Sequence, residues 1–371
     1  MPNWKKYKLG ELVSFQRGHD LTVADIRMGI YPVAGSNGPI GYHDKFTTKG
    51  PGLTLGRSGN SIGVAHYYEN DFWAHNTTLY SKEFHNSNPK FIYYLLKTID
   101  FNSHNSGSAV PSLNRNYISP FEVLAPDDLP TQTRIATILS ALDDKIELNR
   151  RTNETLEAMA QTLFKKYFVT DIDPDNPANG GTGLPEGWKL GKLDDEFNIT
   201  MGQSPDGASY NESKLGIPLF QGRTDFDFRF PSFRIYTTSP KRFAKQFDNL
   251  LSVRAPVGDL NLSLVDCCIG RGLASLRHKN ESLSYGYYKL KALREVFEPY
   301  NGEGTVFGLI NKDELGKISV IIPTSEKAQE FENIVRTIDA KFYGLYSETK
   351  SLTKIRDSLL PKLMNGEIVV N

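Results

Sequence analysis

Arginine, asparagine, glutamine and serine gather on short glycine-bounded stretches of this chain. Early on these are Gln16-Arg17-Gly18-His19, Gly35-Ser36-Asn37-Gly38 and Gly56-Arg57-Ser58-Gly59-Asn60. Later they are Gly202-Gln203-Ser204, Gln221-Gly222-Arg223-Thr224 and Arg254-Ala255-Pro256-Val257-Gly258. Such side chains form directional hydrogen bonds to base edges and phosphates, arginine above all through paired bonds to guanine. Arg17, Ser36, Asn37, Arg57 and Asn60 are the candidate contacts of the first group; Gln203, Gln221, Arg223, Arg254 and Arg271 are those of the second. Any single loop of this kind is ordinarily a turn with a solvated arginine. The set recurs at matching places, and the recurrence favours a binding surface.

Residues for covalent or metal chemistry do not assemble in the same way. Cys267 and Cys268 are adjacent, which excludes a disulfide framework, and no Cys-x-x-Cys or His-x-x-x-His spacing offers a zinc site. His19, His43, His66, His75, His85 and His104 show no paired spacing and read as surface or hydrogen-bonded histidines. Asp143-Asp144 lies in a helical pattern beside Lys145 and Glu147 and reads as a solvated helix face, not a nuclease pair. Gly50–Gly56 lacks the strand-glycine-helix order of a dinucleotide cradle, and no Gly-x-x-x-x-Gly-Lys-Ser/Thr run exists. Asn88-Pro89-Lys90-Phe91 and Asn176-Pro177-Ala178 both fail the Asn-Pro-Pro-aromatic pattern of an amino-methyltransferase. The expectation is a binding chain with no metal, no cofactor and no catalytic residues of its own.

The elements that must hold these loops are written twice. Lys8-Leu9-Gly10-Glu11-Leu12 returns as Lys189-Leu190-Gly191-Lys192-Leu193, and Phe91–Lys97 as Tyr285–Lys291. Gly107–Asn114 returns as Gly304–Asn311, and each copy closes on a β-like run and a proline, Phe121–Pro126 and Ile318–Pro323. Short strands such as Ser61–Tyr68 and Asn261–Val265 alternate with polar loops, giving an α+β, mixed α/β class. After each proline comes a heptad-spaced helix. Its apolar seam is Ile135, Leu139, Leu142, Ile146, Leu156 and Leu163 in the first copy, and Phe331, Val335, Ile338, Phe342, Leu345, Leu352 and Leu359 in the second.

Helices of about 35 to 40 residues make rods of roughly 50–60 Å that need a partner along the seam. The seams can pair with each other, with helices of other proteins, or with their own globular parts. Equal length and register favour an antiparallel coiled coil within the chain, in which Asn149 and Asn153 meet Thr349. Pro361 is expected to bend or end the second rod. The expected organisation is a globular part over 1–130, a long helix over 131–170, an acidic Pro/Gly linker over 171–187, a second globular part over 188–324 and a long helix over 325–371.

Charge is balanced, with 43 basic and 43 acidic residues. The linker carries four acidic residues and no basic ones, which masks a small positive excess elsewhere. So weak an excess cannot hold a polyanion by bulk field, and binding must rest on local clusters or on a basic partner. No run of eighteen apolar residues and no leader-like start is present, so a soluble cytoplasmic protein is expected.

The layout resembles the DNA-specificity subunit of type I restriction-modification enzymes. The residues that carry the likeness are Leu129–Leu139 running into Leu142-Asp143-Asp144-Lys145-Ile146, then Leu184-Pro185-Glu186-Gly187-Trp188, and Ser358–Ile368. Ser325–Glu330 departs from the tighter Pro-Thr-Gln run of the first copy, although Gln329 keeps a glutamine near the rod start. The resemblance implies two target-recognition domains held apart by the paired helices, each reading half of a bipartite site on double-stranded DNA. It also implies two docked modification (methyltransferase) subunits that use S-adenosylmethionine, and restriction subunits, motor nucleases using ATP and Mg. A coiled-coil adaptor that binds no DNA and a stand-alone DNA-modifying enzyme are the competing readings.

Overall fold

The structure is a computed structural model that describes residues 3–101, 113–170, 183–301 and 308–370. His104, the repeated stretches at 107–112 and 304–307, and 171–182 of the expected linker lie outside the described residues. The chain divides into two compact units: Met1–Arg150 with Tyr346–Asn371, and Arg151–Leu345. Each unit takes one globular part and one half of each long helix.

The first unit runs β1 (Trp4–Lys8), α1 (Leu9–Leu12), β2 (Val13–Arg17), β3 (Tyr31–Gly35), β4 (Gly38–His43), β5 (Gly52–Gly56), β6 (Ala65–Tyr68), β7 (Trp73–Ala74), β8 (Thr78–Phe84), α2 (Pro89–Leu96), α3 (Arg115–Ile118) and β9 (Glu122–Pro126), and then enters α4 (Leu129–Lys165). Strands β2-β8-β5-β6 form one sheet, β4-β3-β7 a second, and β1 pairs antiparallel with β9. The expected strand over 61–68 is shorter than its sequence pattern, because Gly59–Ser61 forms a 3-10 turn and pairing starts at Ala65.

The second unit repeats the plan with β10 (Lys189–Lys192), α5 (Leu193–Glu196), β11 (Phe197–Met201), β12 (Tyr210–Asn211), β13 (Ile217–Phe220), β14 (Ile235–Thr237), β15 (Phe243–Ala244), β16 (Asn249–Ser252), β17 (Leu260–Leu262), β18 (Cys267–Ile269), β19 (Leu273–His278), α6 (Leu283–Ala292), α7 (Arg294–Phe297), α8 (Lys312–Gly316), β20 (Ser319–Ile322) and α9 (Ser325–Met364). Sheet β11-β19-β16-β17 corresponds to β2-β8-β5-β6, and ladder β10-β20 to β1-β9. The mixed α/β class read from the sequence is the class observed.

Side-chain caps set where the helices begin. Asn88 accepts from the Phe91 N–H at 3.0 Å with Pro89 at the first turn of α2, so the Asn-Pro pair is a helix start. Asn114 caps α3 and Asn311 caps α8. Asp128 accepts from the Thr131 N–H at 2.8 Å to start α4, and Thr324 accepts from the Lys327 N–H at 3.2 Å to start α9. Buried Gln132 fastens α4 to its domain, donating to the Pro126 carbonyl at 3.0 Å and accepting from the Asn88 N–H at 2.8 Å. Gln329 does not repeat this role; it is exposed and bonds Asn333, while Glu332, one turn on, accepts the Tyr285 N–H at 2.9 Å.

On the seam, Ile135, Leu139, Phe331, Val335, Phe342 and Leu345 are buried, and Leu142, Ile146, Leu156, Leu163, Ile338, Leu352 and Leu359 are half-buried. In the first unit α4 and α9 run antiparallel: Arg356 donates to Asp143 at 2.7 Å, and Asn149 donates to Glu348 at 2.8 Å. In the second unit the same direction shows in Tyr167 donating to Glu330 at 3.1 Å. Asn149 does not bond Thr349 as expected. The neighbouring carboxylate takes its amide, and the Asn149 Oδ1 and Thr349 Oγ1 are buried without a partner. Charged acceptors outcompete a hydroxyl where both are within reach. Helix α9 passes through Pro361 and ends at Met364, since the tail past the proline is held by packing.

Leu363 and Met364 are buried in the core of the first unit with Leu9, Phe91, Ile92, Ile135 and Leu139. The far end of α4 packs in the second unit, where Phe164 and Phe168 meet Tyr285 and Phe331 edge-on or tilted, 5.2–6.0 Å between ring centres. Cys267 and Cys268 are buried on β18, and burial pushes the Cys267 thiol up to about 12, leaving it protonated and inert.

Candidate nucleic-acid interface

Two clefts stand at equivalent places in the two units. The first, about 520 Å³, is lined by Gln16, Arg17, Gly18, His19 and Asp20 after β2, Arg57 after β5, Leu79 of β8, and Asn114 with Arg115 at the start of α3. The second, about 460 Å³, is lined by Ser204 after β11, Gln221-Gly222-Arg223-Thr224 after β13, Arg254-Ala255-Pro256 after β16, and Arg271-Gly272 before β19.

The same backbone device builds both rims. At Gly18 a Cβ would lie 2.1 Å from the His75 carbonyl oxygen, and at Gly202 it would lie 2.2 Å from that of Gly270. Only glycine lets the chain leave β2 or β11 so close to the neighbouring loop. The next residue then bonds across the gap, His19 N–H to Ala74 at 2.7 Å and Gln203 N–H to Ile269 at 3.0 Å.

The cations differ in how firmly they are held. Arg57 is half-buried and donates to the Asn76 carbonyl at 2.9 Å and the Leu113 carbonyl at 3.4 Å. Burial and the neighbouring charge of Arg17 lower its pKa, and a negative group in the cleft would favour its charged form. Arg17 reaches Asp20 at 3.3 Å, and the Asn76 amide together with Arg17 holds that carboxyl below its usual range. Arg115 is exposed and has no ion-pair partner among the described residues. In the second cleft Arg223 pairs with Asp259, while Arg254 and Arg271 are exposed without an ion-pair partner among the described residues. Among the described residues, three arginines line each cleft, one aspartate lines the first and no acid lines the second. A cleft so charged concentrates anions even on a chain of zero net charge.

Of the residues expected from sequence, the structure gathers Arg17 and Arg57 in one cleft and Gln221, Arg223, Arg254 and Arg271 in the other. Ser36 and Asn37 form the two-residue turn between β3 and β4, Asn60 sits in the 3-10 turn after β5, and Gln203 flanks Ser204; none of these four lines a cleft. His19, Ser204 and Thr224 line the clefts from loops marked in the sequence but were not among the candidate contacts, and Asn114 and Arg115 line the first cleft from outside those loops. The signal for Arg115 is present in the repeat, where Asn114-Arg115 and Asn311-Lys312 both place a cation after a capping asparagine.

Asp143 corrects the reading of Asp143-Asp144 as solvated. It is half-buried, accepting from Tyr94 of α2 at 2.7 Å and from Arg356 of α9 at 2.7 Å. In the second unit Asp339 of α9 accepts from Tyr288 of α6 at 3.2 Å and from Arg229 at 2.7 Å. Among the described residues there is no group of three or more His, Cys, Asp or Glu side chains that could hold a metal ion. No helix of the described chain is long and apolar enough to cross a membrane.

Residues 1–158 match the family model of the type I restriction modification DNA specificity domain. A putative type I restriction enzyme MjaX specificity subunit from Methanocaldococcus jannaschii is 31% identical over 265 residues, 70% of this chain and 62% of that protein. The chain thus spans about three fifths of the length of that relative. The type I restriction enzyme HindI specificity subunit of Haemophilus influenzae is 24% identical over 360 residues, covering 76% of this chain and 77% of that one. In fold, the chain is similar to the crystal structure of the S subunit of a type I restriction-modification system from M. genitalium, with a TM-score of 0.69 at 20% identity over 98% of this chain and 96% of that chain. Residues 1–158, which build the first cleft, thus match the type I restriction modification DNA specificity domain, and the chain as a whole shares the fold of that S subunit.

Proposed function

We propose that this chain is the sequence-reading, non-catalytic subunit of a type I restriction-modification complex. The globular parts, 1–130 and 188–324, are its two target-recognition domains. The observation that carries the reading is the pair of arginine-lined clefts built at equivalent places in two copies of one plan. Duplicate clefts with different side chains suit two unlike half-sites on double-stranded DNA, each read by paired hydrogen bonds from arginine and amide groups.

The long helices serve as the spacer, setting the half-sites about one duplex turn apart, ~34 Å between centres. Their outer faces dock two modification subunits, which bind S-adenosylmethionine and flip out the adenine that they methylate. Restriction subunits using ATP and Mg join them to cleave unmethylated DNA. The chain's balanced charge fits this division, because the partners supply further phosphate contacts. The complex works in the cytoplasm, where its DNA is.

The test is to sequence adenine methylation in a host that expresses the chain with its modification partner. The expected result is one asymmetric bipartite motif with a degenerate middle. A contiguous motif, or methylation that does not depend on this chain, overturns the reading.

A further inference from the structure

The second unit contains a buried ion cluster that ties a cleft-lining loop to the rods, and among the described residues the first unit does not repeat it. Arg229 lies on the loop between β13 and β14, and its side chain is 4% exposed. It donates to Glu157 of α4 at 3.1 Å, to Asp339 of α9 at 2.7 Å and to the Tyr288 hydroxyl at 3.2 Å. Its guanidinium carbon lies 4.4 Å from the centre of the Tyr287 ring and 4.6 Å from that of the Phe342 ring. Phe228 and Phe230, on either side, meet the same Phe342 at 5.9 and 5.8 Å. Burial works against the charge of Arg229, but Asp339 and its neighbours hold its pKa above the ordinary value.

The same loop carries Arg223 and Thr224, which line the second cleft. Between them and Arg229 lies Asp225, a buried carboxylate that accepts from the Gln221 N–H at 2.8 Å and is held by Arg234. Leu262 in turn donates its N–H to the Arg229 carbonyl at 2.8 Å. The loop is therefore pinned at one end in the cleft and at the other between the two rods. In the first unit the corresponding aspartate, Asp143, draws its cation from a rod, Arg356 of α9, and its hydroxyl from α2. Among the described residues, no cleft-lining loop takes part there.

We infer that Arg229 is a positioning residue that ties the Arg223 loop of the second cleft to the paired rods, so that reading of the second half-site depends on rod pairing while reading of the first does not. The inference rests on the function proposed above. A planar guanidinium can bridge two carboxylates from different helices while lying close to rings; a lysine in its place carries the charge but not the span.

The test uses the full chain in complex with its modification subunits. The wild-type motif is determined first, and methylation rates are then compared on duplexes in which one half-site or the other is altered. Arg229→Lys and Arg229→Met are expected to lower discrimination at the second half-site tenfold or more and to leave the first within twofold. Arg356→Met, which loosens the rods in the first unit, is expected to leave discrimination at the first half-site within twofold. Should Arg229→Met fail to assemble, Arg229→Lys decides. Unchanged second half-site discrimination in Arg229→Lys overturns the inference, and so does an equal loss at both half-sites. A wild-type complex with no bipartite motif removes the underlying function and the inference with it, which separates the two failures.

Discussion

Tyr94 donates its hydroxyl hydrogen to Asp143 across 2.7 Å, and the second copy repeats the pair as Tyr288 and Asp339 at 3.2 Å. Tyr94 comes from α2 and Tyr288 from α6, and each aspartate comes from the rod that follows in sequence. Burial, then the bond to Asp143, raises the pKa of Tyr94, so it stays a donor throughout the working range. Tyr94→Phe leaves Asp143 with Arg356 alone and is expected to cost about 1–2 kcal/mol. Tyr288→Phe is expected to cost more, because its buried hydroxyl also accepts from Arg229, which would be left with one acceptor fewer. Thermal unfolding of the two variants checks the order, and a Tyr94→Phe melt that matches the wild type would show the pair to be incidental.

The cleft arginines separate by what else they do. Arg115, Arg254 and Arg271 have no ion-pair partner among the described residues, so their loss should weaken DNA binding without lowering stability. An arginine on a base edge should cost about 1–3 kcal/mol and relax one position; one on a phosphate should weaken all sequences alike and reduce the salt slope by about 1. Arg57→Ala differs, because it also strips a donor from the Asn76 and Leu113 carbonyls and should lower the melting temperature as well. Binding titrations at several salt concentrations beside melting curves test this. Stability loss in Arg271→Ala, or none in Arg57→Ala, would contradict it.

What the sequence showed plainly was whatever repeats at short range. The seven-residue period exposed the seams from Ile135 to Leu163 and from Phe331 to Leu359, and the paired copies exposed the plan that α4 and α9 follow. Partners far apart in the chain left no such trace. Asp143 looked solvated because its sequence neighbours are charged, yet Tyr94 and Arg356 reach it from 49 residues before and 213 after. Arg229 gave no signal beyond the run Phe228-Arg229-Phe230, since its acids lie 72 and 110 residues away. Ser36 and Asn37 carry the same chemistry on a turn outside the cleft: composition marks a loop as polar, but the β3-β4 register decides where it stands.

The chain end is held by shape. Gly366 has φ +78°, and a Cβ there would lie 2.8 Å from the Trp4 ring. Gly366→Ala meets both a disfavoured backbone conformation and a clash, and should cost more than about 1 kcal/mol. Leu363→Ala opens a cavity in the same core and should cost about 2–5 kcal/mol. Both losses should fall on the first unit, so hydrogen exchange should rise around Trp4, Leu9 and Phe91 while the protection of Tyr285 and Phe331 stays as it was. A uniform rise across both units would argue against local anchoring.

His278 makes the second unit sensitive to acid. Its ring lies against Phe197 and Tyr285, with ring centres 5.5 and 5.2 Å away, and its Nδ1 is buried without a partner. Burial, then the charge of Lys289, lowers its pKa to about 4 against an opposing pull from Glu281. The unfolded chain holds this proton with a pKa near 6.5, so the unfolded state binds more protons through the interval between the two values. The contribution of His278 to stability is therefore complete above about pH 6.5 and drains away as the pH falls toward 4. Urea midpoints of the wild type and His278→Gln, taken from pH 8 to pH 4, isolate the effect from other titrating groups. The difference between the two curves should change across that window and be flat above it; parallel curves would mean that the imidazole takes up its proton in the folded state as readily as in the unfolded one.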